Sequence, residues 1–337
     1  MARGEGGERD DHIVPKGLVW SSDDMPGIRR IRRGKGFSYK RADGVALRPT
    51  DLDRIKSLVI PPAWSEVWIN PSASGHIQAT GRDARGRKQY RYHPDWSAAR
   101  AGNKFDRLPA FARNLPRLRR RTEADLSQPG MGRDKVLAAT VRLLELTLIR
   151  VGNTEYARRN RSYGLTTLHK KHLTLEGTAF RFRFRGKSGV DQEVSVRDRR
   201  LARIIRSFQE LPGQVLFKYR EADGAVTSVS SDDVNAYIRA VMGDDFSAKD
   251  FRTWAGTISA ARLLREAEPP VSAVDARANI NRCIKTVSGL LGNTVAVCRT
   301  SYIHPVILTL YEKGALAEMP AAESAAFESA LMKRIAR

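Results

Sequence analysis

Breaking a phosphodiester without metal or free water takes three parts. A side-chain nucleophile attacks phosphorus, cations take up charge on the non-bridging oxygens, and an acid protonates the leaving alkoxide. The chain holds candidates for each: nine tyrosines, 59 lysines and arginines, and a turn-like Gly186-Lys187-Ser188-Gly189 that presents a lysine among glycines. A phosphotyrosine ester keeps the energy of the bond it replaces, so resealing needs no nucleotide. Gly186-Lys187-Ser188 matches only the end of a Walker loop, because Arg181 stands where that motif needs glycine and a strand precedes the turn. Cys283 and Cys298 make neither a zinc signature nor a disulfide framework. His169 and His172 are the one close histidine pair and lack a cysteine or carboxylate at ligand spacing. Neither a metal nor a cofactor is expected.

The candidates also have ordinary readings. An average tyrosine is a half-buried packing residue, and Lys187 could decorate a turn. Arg150 closes an apolar helical pattern, where a cation offsets the helix dipole. Asn293, directly after Gly292, could be a helix-end residue. Arg252, early in its helical pattern, is badly placed to offset a dipole, which favours function.

Charge points to the partner. Lys plus Arg number 59 against 37 Asp plus Glu, a formal +22 at pH 7. Such an excess repels itself when compact, so a polyanion is the expected partner. Arginine predominates, and its planar fork fits phosphate oxygens. Nucleic acid, such as densely charged double-stranded DNA, is the leading expectation, against a merely basic surface or an anionic lipid. No apolar run reaches the roughly 18 residues of a membrane span. The opening residues, MARGEGGERDDH, lack a secretory apolar core, so a cytoplasmic, nucleoid-associated location is expected.

The elements that must position these groups change character along the chain. After a polar start over 1–25, residues 28–39 mix dense charge with alternating β-formers, and Arg29, Arg30, Arg32 and Arg33 read as phosphate contacts or a solvated face. Short strands with turn signals continue to about residue 95. In Lys88-Gln89-Tyr90-Arg91-Tyr92, alternation puts Lys88, Tyr90 and Tyr92 on one face. A helical period follows over 133–150. Phe180, Phe182 and Phe184 then alternate with arginines as one strand of a hairpin, the phenylalanines facing a core. Helices are predicted near 198–210, 231–242, 248–266, 272–291 and 320–336, with Ser247 and Ser272 as N-caps and Gly292 as a stop. The basic run Arg117–Arg121 reads as phosphate contacts or a solvated face. The expected fold is α+β: a β-rich domain over 1–100, and a larger, mostly helical domain over 101–337 with a β-hairpin sheet.

Five segments, in order, resemble those of type IB DNA topoisomerases. They are Gly86-Arg-Lys88-Gln89-Tyr90-Arg91-Tyr92; Ile149-Arg150-Val-Gly-Asn with Tyr163-Gly-Leu-Thr-Thr-Leu; Gly186-Lys187; Lys249-Asp-Phe-Arg252-Thr-Trp; and Leu291-Gly-Asn293-Thr through Cys298-Arg-Thr-Ser-Tyr302. The pattern spans about residues 25–315 and is most like that of small viral and bacterial members. The resemblance implies Tyr302 as nucleophile forming a 3′-phosphotyrosyl link, Arg150 and Arg252 bracing the non-bridging oxygens, and Lys187 protonating the 5′ oxygen. It implies Lys88, Gln89, Tyr90 and Tyr92 as contacts in the major groove. It also implies relaxation of positive and negative supercoils by rotation about the intact strand, by a monomer that closes as a clamp around DNA. Asn293 stands where many members have histidine; an amide can donate a hydrogen bond but cannot carry charge or deliver a proton. His304, beside Pro305, is expected to be structural.

Two other readings compete. A tyrosine recombinase uses the same chemistry, but its second arginine normally follows a histidine, where this chain has Lys249, and its N-terminal domain is typically helical. A non-enzymatic DNA-binding clamp would need the charge and the groove-reading strand, not the catalytic set.

Overall fold

The computed structural model describes residues 14–34, 36–84, 86–243 and 246–336, without the side chains of 100–104 and 325. The chain forms two compact units, Met1–Lys104 and Phe105–Arg337.

The first unit is built on a five-stranded antiparallel sheet. Along the chain come β1 (Ile28–Arg33), β2 (Gly36–Arg41), helix α1 (Pro49–Ser57), β3 (Ser65–Ile69), β4 (Ile77–Arg82) and β5 (Lys88–Tyr92), in spatial order β2-β1-β3-β4-β5. Ile28 pairs across with Arg41, and Arg29 with Lys40. One sheet face buries Ile28, Val67, Ile69 and Ala79 with Ile55 of α1. Two hydrogen bonds from Arg54 pin α1 to the sheet: Nη1 donates to Gln78 Oε1 at 2.7 Å and Nη2 to the Asn70 carbonyl at 2.6 Å. Helix α2 (Pro94–Asp106) carries the chain out of this unit.

The second unit is mostly helical: α3 (Leu108–Leu126), α4 (Arg133–Thr147), the short α5 (Thr154–Asn160), then an antiparallel sheet of β6 (Leu173–Glu176), β7 (Ala179–Arg185) and β8 (Asp191–Arg197). There follow α6 (Arg199–Glu210), the small ribbon β9 (Lys218–Arg220) and β10 (Val226–Ser228), α7 (Ser231–Met242), α8 (Ala248–Glu266), α9 (Ala273–Leu291), α10 (Val295–Ser301), α11 (Pro305–Glu312) and α12 (Ala325–Ile335). The period-two pattern of β7 is realised: Phe180, Phe182 and Phe184 are buried while the arginines between them are exposed. Helix α8 is buried around most of its circumference, with Gly256, Ala260 and Ala261 letting its neighbours approach closely.

Three differences from the sequence reading have local causes. The helix predicted over 133–150 stops at Thr147, because Leu148 adopts a left-handed φ of 54°. A left-handed leucine costs about 1 kcal/mol or more, and Arg252 holds its carbonyl in place. The last helix covers Ala325–Ile335 rather than 320–336. Helices α1, α2, α3, α5, α10 and α11 were not anticipated. In α3 the buried Leu108, Phe111, Leu115 and Leu118 keep helical spacing, but Pro109, Pro116 and the five arginines of the helix mask it. The run Arg117–Arg121 divides accordingly, with Arg119 bound to Glu145 and Arg121 to Asp125 and Asp134.

Phe182, fully buried in the sheet's inner face, is a direct test of this core. Phe182→Ala should lower stability by about 3–5 kcal/mol, read as a lower urea midpoint in circular dichroism with an unchanged slope.

Candidate active site

Two helix ends and one loop build the site. Helix α8 opens with the Asp250 carboxylate accepting from the Ser247 backbone N–H at 2.8 Å. Phe251 and Trp254 pack on Phe111, which orients the first turn and its Arg252. Arg252 is 6% exposed. Nη1 donates to the Leu148 carbonyl and Nη2 to the Leu291 carbonyl at 2.6 Å. Among the described residues its buried Nε–H has no partner.

Arg150 lies two residues beyond the left-handed Leu148, in an extended segment clasped by Tyr163-Gly164-Leu165-Thr166. Leu165 N–H donates to the Arg150 carbonyl at 2.8 Å and Thr166 N–H to the Val151 carbonyl at 2.7 Å. A Cβ on Gly164 would come within 2.6 Å of the Arg150 carbonyl oxygen, so glycine is needed there for space. The Arg150 Nη2 donates to Asn293 Oδ1 at 2.5 Å and more weakly to the Gly292 carbonyl at 3.4 Å. The Tyr302 phenol lies close enough to Arg150 to interact with its charge. Burial first, and then the neighbouring Arg252 charge, lower its pKa. Arginine stays protonated regardless; the direction records the strain of two cations drawn together out of water.

Tyr302 caps the C-terminus of α10, its ring 5.2 Å from the Arg252 guanidinium carbon. Its carbonyl accepts from Thr257 Oγ1 at 3.3 Å, and the fully buried Ile303 anchors the next residue. Gly256 makes room: a Cβ there would meet the Tyr302 carbonyl oxygen at 2.5 Å. Asn293 follows the left-handed Gly292 that ends α9. Because Arg150 can only donate, the Asn293 oxygen must face it, and the amide N–H2 faces away. Thus Arg150, Arg252, Asn293 and Tyr302 are brought into one cluster. Lys187 is not bonded to it; it stands exposed at the β7–β8 turn, where Ser188 has a left-handed φ of 64°. His304 is structural: its Nδ1 accepts from the Val306 N–H at 3.1 Å and caps α11.

In the first unit, Tyr90 and Tyr92 stand exposed and stacked, ring centroids 5.7 Å apart. Lys88 lies on the same face, over Tyr90, with its ammonium 2.7 Å from Asp23. Gln89 is on the other face, donating to Asp83 Oδ2 at 2.9 Å. Arg29, Arg32 and Arg33 are exposed on β1. Arg30 differs: it donates to the Ile60, Pro61 and Trp64 carbonyls and covers the Phe37 ring at 4.1 Å. Its guanidinium ties the sheet to the following loop. The sequence reading missed Gly164 and Gly256, although a glycine inside a helical pattern is a visible signal of close approach.

Chemically, the cluster offers a phenol between two guanidiniums with an amide donor alongside. It suits the pentacoordinate transition state of a phosphoryl transfer, in which charge builds on equatorial oxygens.

Comparisons with known proteins agree in direction. The family described as "Eukaryotic DNA topoisomerase I, catalytic core" matches residues 93–320, and "Bacterial DNA topoisomerase IB, N-terminal domain" matches residues 36–83. The chain is 33% identical over 296 residues to the DNA topoisomerase 1B of Acanthamoeba polyphaga mimivirus, covering 86% of this chain and 88% of that one. Among solved structures, the XerH site-specific recombinase bound to palindromic difH substrate is 13% identical, with a TM-score of 0.36, over 61% of this chain and 50% of that one. A second XerH complex, before cleavage, gives 0.35. The chain spans about half of those recombinase chains, and similarity at that level carries no argument.

Two outcomes test the geometry. Gly256→Ala would ordinarily favour a helix by about 0.5–1 kcal/mol; here it should slow strand cleavage by about 10-fold or more, the equivalent of ~1.4 kcal/mol, with unchanged DNA affinity in a filter-binding assay. Inorganic phosphate should raise the melting temperature, because an anion relieves the paired guanidiniums and binds the folded state alone. Arg150→Gln should remove most of that rise in differential scanning fluorimetry.

Proposed function

The chain belongs to the type IB DNA topoisomerases, and from that membership we propose that Tyr302, Arg150, Arg252, Lys187 and Asn293 carry out its strand transfer. The enzyme relaxes positive and negative supercoils by cutting one strand of duplex DNA, letting the cut end rotate about the intact strand, and resealing it. The observation that carries the assignment is the ring of Tyr302 against the Arg252 guanidinium, with Arg150 beside its phenol.

In the forward step the Tyr302 oxygen bonds to phosphorus while the bond to O5′ breaks. The phenolic proton leaves to solvent, and Lys187 gives a proton to O5′. The DNA is left with a 3′-phosphotyrosyl link and a free 5′-hydroxyl. Arg150 and Arg252 take up the charge on the non-bridging oxygens, and the Asn293 amide adds a neutral hydrogen bond. Resealing is the reverse, with the 5′-hydroxyl returning its proton to Lys187. Each bond broken is matched by one formed, so neither ATP nor a metal is required, and DNA torsion alone sets the direction.

The first unit is assigned as the DNA-binding lobe. Tyr90 and Tyr92 supply an aromatic face for the groove, with Lys88 beside them and Gln89 set behind, while Arg29, Arg32 and Arg33 meet phosphates. Arg30 is left to its role within the lobe. The enzyme is taken to act as a monomer, holding the duplex as a clamp, on the DNA of the cytoplasmic nucleoid; the formal charge of +22 supports that partner. The recombinase reading is the weaker one, since the family match covers residues 93–320.

Wild-type protein should relax a supercoiled plasmid in EDTA without ATP. Tyr302→Phe should bind DNA as tightly yet yield no covalent adduct when trapped with denaturant; an adduct from that variant would remove Tyr302 as nucleophile. Affinity should fall with salt at a log–log slope of about −0.9 per phosphate neutralised, measured by fluorescence anisotropy between low and moderate salt.

A further inference from the structure

Gln192 breaks the pattern of its own strand. It shares a face of β8 with Val194 and Val196, and its register partner on β7 is the buried Phe184. Alternation calls for an apolar side chain there, yet the chain places an amide. That amide is scarcely used locally: among the described residues its one hydrogen bond, from Nε2 to the Asp191 carbonyl, is 3.4 Å long.

Two glycines explain where the side chain goes. A Cβ on Gly186 would meet Gln192 Cγ at 2.9 Å, and a Cβ on Gly292 would meet Nε2 at 2.7 Å and Oε1 at 2.8 Å. Gly186 has φ −89°, a conformation open to any residue, so glycine is required there for space and not for backbone freedom. Gln192 is thus clasped between the residue that precedes Lys187 and the residue that precedes Asn293. The Gly292 carbonyl in turn accepts from Arg150. Among these contacts, Gln192 alone joins the lysine turn to the phosphate-binding cluster.

We propose that Gln192 is a positioning residue for proton delivery, holding the base of the lysine turn against Gly292 so that Lys187 reaches the 5′ oxygen. The proposal rests on the reading of Lys187 as the acid. Gln192 touches no reacting atom; its effect passes through the turn. Removing it should widen the range of positions Lys187 samples and slow the steps that move a proton, leaving DNA binding intact.

The test compares single-turnover cleavage of a duplex with its ordinary bridging O5′ against one with sulfur at that bridge. A thiolate leaves without a proton, its conjugate acid ionising near 8.5 in a cysteine. Gln192→Val suits the strand and its valine neighbours, and Gln192→Ala serves as the second variant. Both should cut the oxygen substrate about 10-fold or more slowly, a part of the roughly 10²–10⁴-fold that general acids supply, and cut the sulfur substrate at the wild-type rate. Equal slowing on both substrates, or no slowing on oxygen, would overturn the proposal. Lys187→Ala, run in parallel, separates the two failures. If sulfur restores Lys187→Ala but not the Gln192 variants, the positioning role alone falls; if it fails to restore Lys187→Ala, the acid assignment falls and this proposal falls with it.

Discussion

Two guanidinium groups held side by side away from water are the constraint on which the rest of this structure depends. A buried charge without partners is prohibitively costly, and a pair of like charges is worse. The usual remedy is a carboxylate, and elsewhere the chain uses it: Arg119 meets Glu145, Arg200 meets Glu123 and Arg262 meets Glu328. At the site the acceptors are carbonyls and one amide. Leu148 closes α4, and Leu291 and Gly292 close α9, so these are the otherwise unsatisfied carbonyls of helix C-termini, where the helix dipole also favours cations. Such acceptors orient the arginines without cancelling their charge, and that charge is what a phosphate needs.

The same logic makes sense of the amide at position 293. A protonated histidine there would add a third cation beside Arg150 and could not accept from it. Asparagine accepts without charge: its oxygen takes the Arg150 hydrogen bond, while its N–H2 makes only a long, 3.5 Å hydrogen bond to the Leu291 carbonyl. What it forgoes is charge and proton delivery, which the proposed mechanism gives to the two arginines and a lysine. Burial does the sorting, since Arg150, Arg252 and Tyr302 are packed by α8, α9 and α10, while the lysine rides on an exposed turn. In the proposed mechanism, rigid groups hold the phosphate, and a long flexible side chain follows the leaving oxygen.

Much of the second unit was legible because its signals are local. Helices over Ser231–Met242 and Ala248–Glu266 announce themselves by apolar spacing, the second also by Ser247 at its start. The Phe180/182/184 alternation reads as a strand for the same reason. Other features depended on contacts far along the chain. Nothing near Leu148 marks a helix end, since no glycine or proline stands there; the stop is secured by Arg252, more than a hundred residues later. Arg30, one of four similar arginines in a row of charge, is set apart by carbonyls in the loop at Ile60–Trp64.

By itself, the sequence determined the residue types, the periodicities and the excess of positive charge. From those follow the two-part α+β organisation, a polyanionic partner and a short roster of groups able to act on phosphorus. Only the tertiary structure decided which members of that roster meet, which arginines pair with carboxylates and which with bare carbonyls, and which glycines are there to let backbones touch. The reason is physical: periodicity is written into neighbouring residues, whereas desolvation and close approach are properties of segments that become neighbours only when the chain has folded.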